Sequence, residues 1–377
     1  MRIAFVLSAY PWKPNGGFRT VYEHANQLVA RGHDITIVHP RRLSNWPPPP
    51  TTKIYRGLRW RAARAARLIR DSLFTPSLGW QAIDRRVNLR YVPEPIPQHV
   101  PDSDVVFATY WPTAEYVVGY PQQKGERFYL IQDFQSYFGP EERVKHTWIM
   151  PFHRVTISKW LCEQVSQVAK EGRTAWVPEG IDHRRFRILR DIATRPKCLT
   201  MLFSPAPYKA PWDAVRAAEI CRSQDPQIRA LVFGTGPRPD GLPPWMEYRR
   251  NVPEKELVEI YNQTRIFACS SLAEGFALPP AEAMACGCAV AMTDCGGNRD
   301  YAEHEVTALL SPPGELGALA QNIGRLLADD VLRQRLARTG FDRIQQFTWE
   351  KSNELLERFV AECLEQTDRG STPRVPL

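Results

Sequence analysis

Nowhere in its 377 residues does this chain carry an uninterrupted apolar run near the roughly 18 residues of a membrane-spanning helix, so no transmembrane segment is expected. Nor do its cysteines pair up. The eight, at positions 162, 198, 221, 269, 286, 288, 295 and 363, show no metal-binding spacing, and all but Cys162 lie in the second half. Most stand in apolar runs, the habit of reduced core thiols in a cytosolic protein. Cys286-Gly-Cys288 is the one close pair, and packing accounts for it better than a metal. The histidines at 24, 33, 39, 99, 146, 153, 183 and 304 form no ligand cluster, so no essential metal is expected. The opening residues, Met1-Arg-Ile-Ala-Phe-Val-Leu7, run into Pro11, Lys13 and Pro14, the pattern of a first strand and not of a secretory signal.

What is present is ordinary in bulk and uneven in detail. A hydrophobic fraction of 43% and a charged fraction of 24% are those of a globular protein, and the length suits two domains. The net charge of +8 is concentrated: residues 56–70 hold six arginines and no acid. On a helical period Arg56, Arg59, Arg64, Arg67 and Arg70 share a broad face, opposed by Leu58, Ala62, Ala65 and Ile69. Such a helix either lies on an anionic membrane surface or packs its apolar edge on its own domain, and the sequence leaves both open. No aromatic-basic interleaving accompanies it, so nucleic acid is not an expected partner.

Residues 2–8, 34–39, 105–109, 128–132 and 154–158 have the apolar runs of buried strands. Between the first two, 18–31 is an amphipathic helix closed by Gly32. Strand and helix alternate throughout, which argues for parallel sheets with helices on both faces. Four prolines make 45–52 a loop, and a polar, arginine-rich stretch after Asp182 divides the chain. Residues 1–182 then form a first Rossmann-like domain, 183–197 a linker and 198–349 a second domain with helices at 212–223 and 316–328. A helix over 350–367 carries Leu355, Leu356, Phe359, Val360 and Cys363 on one stripe, and 368–377 is expected to be a disordered tail.

The most informative stretch is Glu274-Gly-Phe-Ala-Leu-Pro-Pro-Ala-Glu282. An apolar strand, 266–272, precedes it, and 283–290 begins as a helix and runs into the next strand. Pro279 and Pro280 suit the first helical turn, where a missing N–H costs nothing. Glu274 therefore belongs on the strand-to-helix loop, and Glu282 one to two turns into the helix. Free N–H groups at a helix start favour an anion, while ionised carboxylates accept hydrogen bonds from hydroxyls. The combination suits a sugar nucleotide; a solvated helix face is the plain alternative.

From Glu274 to Gly296-Gly297 the chain resembles the donor-site signature of the GT4-type retaining glycosyltransferases, which have the GT-B fold. Further marks stand in the same order. Met1 to Leu7 followed by Asn15-Gly16-Gly17 is similar to the family's first strand and glycine loop. Ile157-Ser158-Lys159-Trp160 and Val177-Pro178-Glu179-Gly180-Ile181-Asp182 resemble the strand ends that close its first domain. Val232-Phe233-Gly234-Thr235-Gly236 resembles the second domain's strand and glycine turn.

The resemblance implies an α/β GT-B fold, two Rossmann-like doubly wound parallel-sheet domains facing across a cleft. The acceptor side is the first domain, the nucleotide-sugar side the second, and the last helix crosses back to the first. Ligands of such sheets sit at the carboxyl ends of the strands, so Asn15-Gly16-Gly17 and the Glu274 loop are expected to meet across the cleft. The implied activity is that of a retaining, metal-independent hexosyltransferase acting on a nucleotide-diphosphate sugar, with no cofactor beyond that substrate. Its acceptor is a glycan or lipid-linked saccharide in bacterial surface polysaccharide synthesis. The implied location is cytoplasmic, with residues 56–70 as a peripheral contact at the inner face of the membrane. Tyr129-Leu-Ile-Gln-Asp-Phe-Gln-Ser-Tyr-Phe138 is similar to bacterial rhamnosyltransferases of cell-surface glycans, which makes dTDP-rhamnose the candidate donor.

Matching positions carry the roles over. Lys209 falls on the diphosphate, Glu274 on the hydroxyls of the transferred sugar, and Glu282 on the nucleotide ribose. Asp133 orients the acceptor hydroxyl, stabilises positive charge on the sugar, or caps the following turn. Gly16, Gly17, Gly234, Gly275 and the N–H groups of Phe276, Ala277 and Leu278 complete the donor contacts. Two departures stand out. The arginine usual a few residues before Lys209 is absent, with Ser204, Pro205 and Ala206 in its place, and Gln132 stands where many members have histidine. A nucleotide-sugar epimerase of the same fold and a non-catalytic sugar-nucleotide or glycan-binding subunit therefore stay open as alternatives. Asp102-Ser103-Asp104 spells the Asp-x-Asp of metal-dependent glycosyltransferases of the other major fold. It precedes its strand, at the end remote from ligand, and so reads as a loop.

Overall fold

Strands with no polar face build all-parallel sheets that helices cover on both sides. The chain builds two such sheets in two units of a computed structural model, which describes residues 1–12, 14–45, 66, 69, 78–134 and 139–371, with side chains to 366. The first unit comprises Met1–Thr156, Cys162–Val177 and Asn353–Leu377; the second comprises Ile157–Leu161 and Pro178–Ser352.

In the first unit the strands are β1 (Arg2–Val6), β2 (Asp34–Pro40), β3 (Asn88–Val92), β4 (Val105–Ala108), β5 (Glu126–Ile131), β6 (His153–Thr156) and β7 (Thr174–Trp176). Their order is 3-2-1-4-5-6-7, parallel throughout. Phe5 lies between Ile37 and Phe107 in register, and the Phe5 and Phe107 rings stack at 4.8 Å. Helices α1 (Gly16–Ala30), α2 (Trp111–Val117), α3 (Glu141–Trp148) and α4 (Lys159–Val168) link the strands. Asn15 starts α1 by accepting from the Phe18 N–H, and Gly32, at φ 91°, closes it.

The second unit repeats the pattern with β8 (Cys198–Leu202), β9 (Arg229–Gly234), β10 (Met246–Arg250), β11 (Ile266–Cys269), β12 (Ala289–Thr293) and β13 (Leu309–Ser311) in the parallel order 10-9-8-11-12-13. Its helices are α5 (Pro211–Gln224), α6 (Glu254–Gln263), α7 (Leu278–Ala285), α8 (Leu316–Ala328) and α9 (Asp330–Ile344). Met201, Val232, Ala268 and Ala291 of the sheet share a core with Val215, Ile323 and Leu336 of the helices. Residues 183–197, taken from the sequence as a linker, are stitched into this unit. Ile192 is in its core, and the buried Arg195 guanidinium donates to the carbonyls of Arg190, Tyr261, Thr264 and Cys286.

The last helix, α10 (Trp349–Ser371), enters the first unit at Asn353. Leu356, Phe359, Val360 and Cys363 are buried there, Phe359 lies 6.0 Å from the Phe128 ring, and Glu357 accepts from Arg31 and pairs with His33. Ending at Ser371, α10 claims residues 368–371, which the sequence assigned to a disordered tail; the helix simply continues past its apolar stripe. Most of the expected strands end one to three residues early, β1 at Val6 and β11 at Cys269, where the chain leaves the sheet for its ligand-side loops, while β2 runs one residue further, to Pro40. The arginine-rich stretch 56–70, apart from Ala66 and Ile69, lies outside the described residues, as do 46–52, 135–138 and 372–377. All eight cysteines are free thiols, and no described helix is long and apolar enough to cross a membrane.

Each sheet reverses its strand order beside its first strand, between β1 and β4 in one unit and β8 and β11 in the other. Open α/β sheets bind ligands outside the carboxyl ends of the strands at such switch points. The candidate residues collect there.

Candidate functional site

Lys209 is placed by the exit from β8. A single 3-10 turn, Pro207–Lys209, and Ala210 in the left-handed region (φ 41°) lead into α5, with Pro211 at its first position. Two bonds fasten this turn to the end of β11: the Ser270 hydroxyl donates to the Ala210 carbonyl (2.8 Å), and the Leu272 N–H to the Tyr208 carbonyl (2.7 Å). Lys209 Nζ consequently reaches both oxygens of Glu274, at 2.5 and 2.6 Å, and the Ser271 hydroxyl donates to Glu274 Oε1 at 2.6 Å. The two charged side chains are only 19% and 9% exposed. Burial by itself pushes the Lys209 ammonium pKa down; the Glu274 carboxylate more than reverses this and holds it above the ordinary lysine value. Lys209, Ser270, Ser271, Glu274, Pro279 and Pro280 line a concavity at this edge of the sheet.

The loop after β11 is seated from below. Glu274 donates its N–H to the Cys295 carbonyl, and the Gly297 N–H returns to the Glu274 carbonyl. A Cβ on Gly297 would lie 2.1 Å from the Gly275 oxygen, and one on Gly296 (φ 87°) 2.5 Å from the Trp160 ring, so this approach requires both glycines. Phe276 is buried against Tyr301 and Phe347, with ring centroids at 5.2 and 5.7 Å. Ala277 is left-handed (φ 70°, ψ 68°), a strained conformation for a residue with a Cβ, and the Tyr301 hydroxyl holds its carbonyl at 2.8 Å. Pro279 and Pro280 occupy the first turn of α7 and carry no N–H, and Phe276, Ala277 and Leu278 lead into them. Glu282 sits one turn into α7, 3% exposed, and accepts from the Tyr261 hydroxyl at 3.3 Å. Gly234 ends β9 beside the β8 exit, where a Cβ would lie 2.5 Å from the Phe203 carbonyl oxygen.

The first unit brings together a different set. Gln132, at the end of β5, donates to the Thr109 carbonyl at the end of β4 (3.2 Å). A Cβ on Gly17 would lie 3.3 Å from Gln132 Oε1, whereas one on Gly16 would meet nothing within 4 Å. The buried Gln132 Oε1 has no hydrogen-bond partner among the described residues. Asp133 follows, half-buried, with Oδ1 accepting from the Phe134 N–H at 2.7 Å. Asp102 and Asp104 stand at the opposite, amino edge of this sheet. Each is matched by a cation, Lys124 for Asp102 and Arg2 for Asp104. No group of three or more His, Cys, Asp or Glu side chains able to hold a metal occurs among the described residues.

Two contributors escaped the sequence reading. Ser271 stands three residues before Glu274, a Ser-x-x-Glu spacing in which the hydroxyl can reach the carboxylate, and that signal was available. Tyr261, the partner of Glu282, lies 21 positions away on α6, and nothing local announces it.

Residues 190–343, the greater part of the second unit, match the sequence family described as Glycosyl transferases group 1. The O-antigen biosynthesis protein RfbC of Myxococcus xanthus is 25% identical over 260 residues, which are 67% of this chain and 20% of that protein. Over this and four further curated relatives the chain spans between 20% and 54% of the relative's length. Among solved structures, sucrose-phosphate synthase from Thermosynechococcus elongatus aligns with a TM-score of 0.71 at 18% identity, covering 97% of this chain and 99% of that one. HepE from Anabaena, solved in complex with UDP and glucose, aligns at 0.69 and 15%, covering 96% and 100%. At such identities the likeness is one of fold, and the fold is GT-B.

Proposed function

We propose that this chain, with its group 1 glycosyl transferase segment at 190–343, moves a sugar from a nucleoside-diphosphate donor to a glycan acceptor. The observation that carries the reading is the buried Lys209–Glu274 pair at the β8/β11 switch point. A cation and a carboxylate at one small opening match the two halves of a sugar nucleotide, the diphosphate and the sugar hydroxyls. In the transfer, the bond from the anomeric carbon to the diphosphate oxygen breaks and its electrons leave with the diphosphate, while the acceptor hydroxyl oxygen bonds to that carbon and its proton passes to the departing diphosphate. Lys209 stabilises the charge that develops on the departing diphosphate, and the N–H groups of Phe276, Ala277 and Leu278 add donors along the loop. Glu274 orients the sugar, Glu282 takes the ribose hydroxyls with Tyr261 setting its direction, and Gly234 keeps the neighbouring turn close. Gly16 and Gly17 let the backbone of the first unit approach the donor closely, and Asp133 orients the acceptor hydroxyl.

Finer assignments follow from the family resemblance and from the relatives' descriptions. The anomeric configuration is retained and no divalent metal is required, a reading in keeping with the place of Asp102 and Asp104 at the amino edge of the sheet. A surface polysaccharide is the acceptor class, in keeping with the O-antigen role of RfbC. dTDP-rhamnose remains the donor that the stretch around Gln132 favours, and UDP sugars are the alternative that the HepE complex suggests.

A thermal-shift panel of UDP, GDP, ADP and dTDP sugars tests the reading. A ligand at one hundred times its dissociation constant adds about 2.7 kcal/mol of stability. One selective stabiliser that is consumed in the presence of acceptor supports it. Stabilisation without turnover over a broad acceptor screen moves the binding-subunit alternative ahead, and no stabilisation by any member overturns both.

A further inference from the structure

The Lys209–Glu274 pair also bears on which ligands the site keeps and which it releases, an inference that rests on the glycosyltransferase reading. The lysine's charge is matched within the protein. Both Glu274 oxygens face Nζ, and the Ser271 hydroxyl donates to Oε1 as well. Ser271 is itself locked, 2% exposed, with its carbonyl accepting from the Thr293 hydroxyl. A diphosphate that takes Lys209 must therefore compete with a carboxylate of the same sign in a poorly solvated place. Once the lysine has turned away, Glu274 is left as a buried anion beside the phosphates, a costly arrangement unless another donor reaches it. The hydroxyls of a sugar supply such donors; a nucleoside diphosphate lacking the sugar has none at that position.

We propose that Lys209 and Glu274 act as an exchange latch, in which an intact sugar nucleotide replaces both halves of the pair and a spent nucleoside diphosphate replaces only one. Glu274 thereby favours the charged donor over its product and drives the product out by recapturing Lys209. Ser271 is a positioning residue that aims the carboxylate at the lysine.

Calorimetric titration of UDP, GDP, ADP and dTDP, and of their sugar conjugates, into the wild type, Glu274→Gln, Lys209→Met and the double variant decides the matter. If the pair is closed in about nine molecules of ten, Glu274→Gln binds the nucleoside diphosphate about tenfold more tightly than the wild type. The preference for the sugar conjugate shrinks in that variant, and the tenfold gain vanishes in the Lys209→Met background. Unchanged or weaker diphosphate binding by Glu274→Gln overturns the latch, as does a gain that persists without Lys209. Absence of nucleotide binding by the wild type instead overturns the glycosyltransferase reading on which the latch rests. Melting curves establish that each variant folds. Should Glu274→Gln not fold, Ser271→Ala takes its place: product inhibition strengthens several-fold if the hydroxyl aims the carboxylate, and stays constant if the latch is wrong.

Discussion

The two sheets reverse their strand order at equivalent places and furnish those places differently. At the β1/β4 switch Gly17, the Thr109 carbonyl and the Gln132 amide gather without a charge among them, and the one acid that follows, Asp133, turns its Oδ1 to the Phe134 N–H. At β8/β11 the groups are a carboxylate with a lysine and a hydroxyl each within 2.6 Å of it. Backbone topology thus decides where a ligand can be met, and side chains decide what is met there. A neutral amide supplies direction at little electrostatic cost. A desolvated ion pair supplies a strong local field and a large penalty for losing either member.

The comparison is sharpest in turnover. Lys209→Met is expected to lower kcat/KM by about 10²–10³-fold, the scale of removing one preorganised charge-stabilising donor, whereas Gln132→Ala lowers it far less. Equal losses in steady-state assays would erase the contrast between the two switch points. Stability gives the next test, because the glycines differ as the side chains do. Gly297→Ala forces a Cβ to 2.1 Å from a backbone oxygen and should destabilise by about 3 kcal/mol in denaturant titrations, while Gly16→Ala, with open space around it, changes stability by less than about 1 kcal/mol.

Acidity gives a gentler test, within the first unit. In the first unit, burial lowers His24 and His39 from 6.5 to about 4. The unfolded chain takes up those protons first, so native stability falls as the pH drops from 6.5 towards 4. His153 works in the opposite sense. The Cys363 sulfur and then the Glu126 carboxylate raise it to about 9, so the stability it adds is fully present below 6.5 and is lost as the pH rises through 9. Denaturant midpoints across this range should therefore peak near neutrality, and a monotonic trend would contradict the assignment. The smallest effect is expected at the amino edge of the first sheet. Asp102→Asn with Asp104→Asn should leave activity and its resistance to EDTA unchanged, since those carboxylates only meet Lys124 and Arg2. Loss of activity on chelation, restored by Mg²⁺, would make them part of the chemistry.

Much of this was legible along the chain wherever the signal was local. The helix Leu316–Ala328 lies where its periodicity put it, the two prolines open α7, and Gly32 closes α1. Edge strands such as β10, Met-Glu-Tyr-Arg-Arg, carry no apolar run and were invisible. So was the attachment of residues 183–197 to the second unit, which depends on a buried arginine reaching carbonyls up to 91 positions away.

The sequence by itself determined the alternation of strand and helix, the strand–loop–helix that presents Glu274, and the closure of α1 at Gly32. These follow from residue volume, ring closure in proline and the absence of a Cβ, properties that act between near neighbours. Only the tertiary structure decided that Lys209, 65 positions before Glu274, would spend its charge on that carboxylate, and that Ser271 would share it. Parallel pairing of β8 with β11 brings their carboxyl ends side by side, and burial then makes the charge match obligatory, because neither ion can be left unpaired out of water.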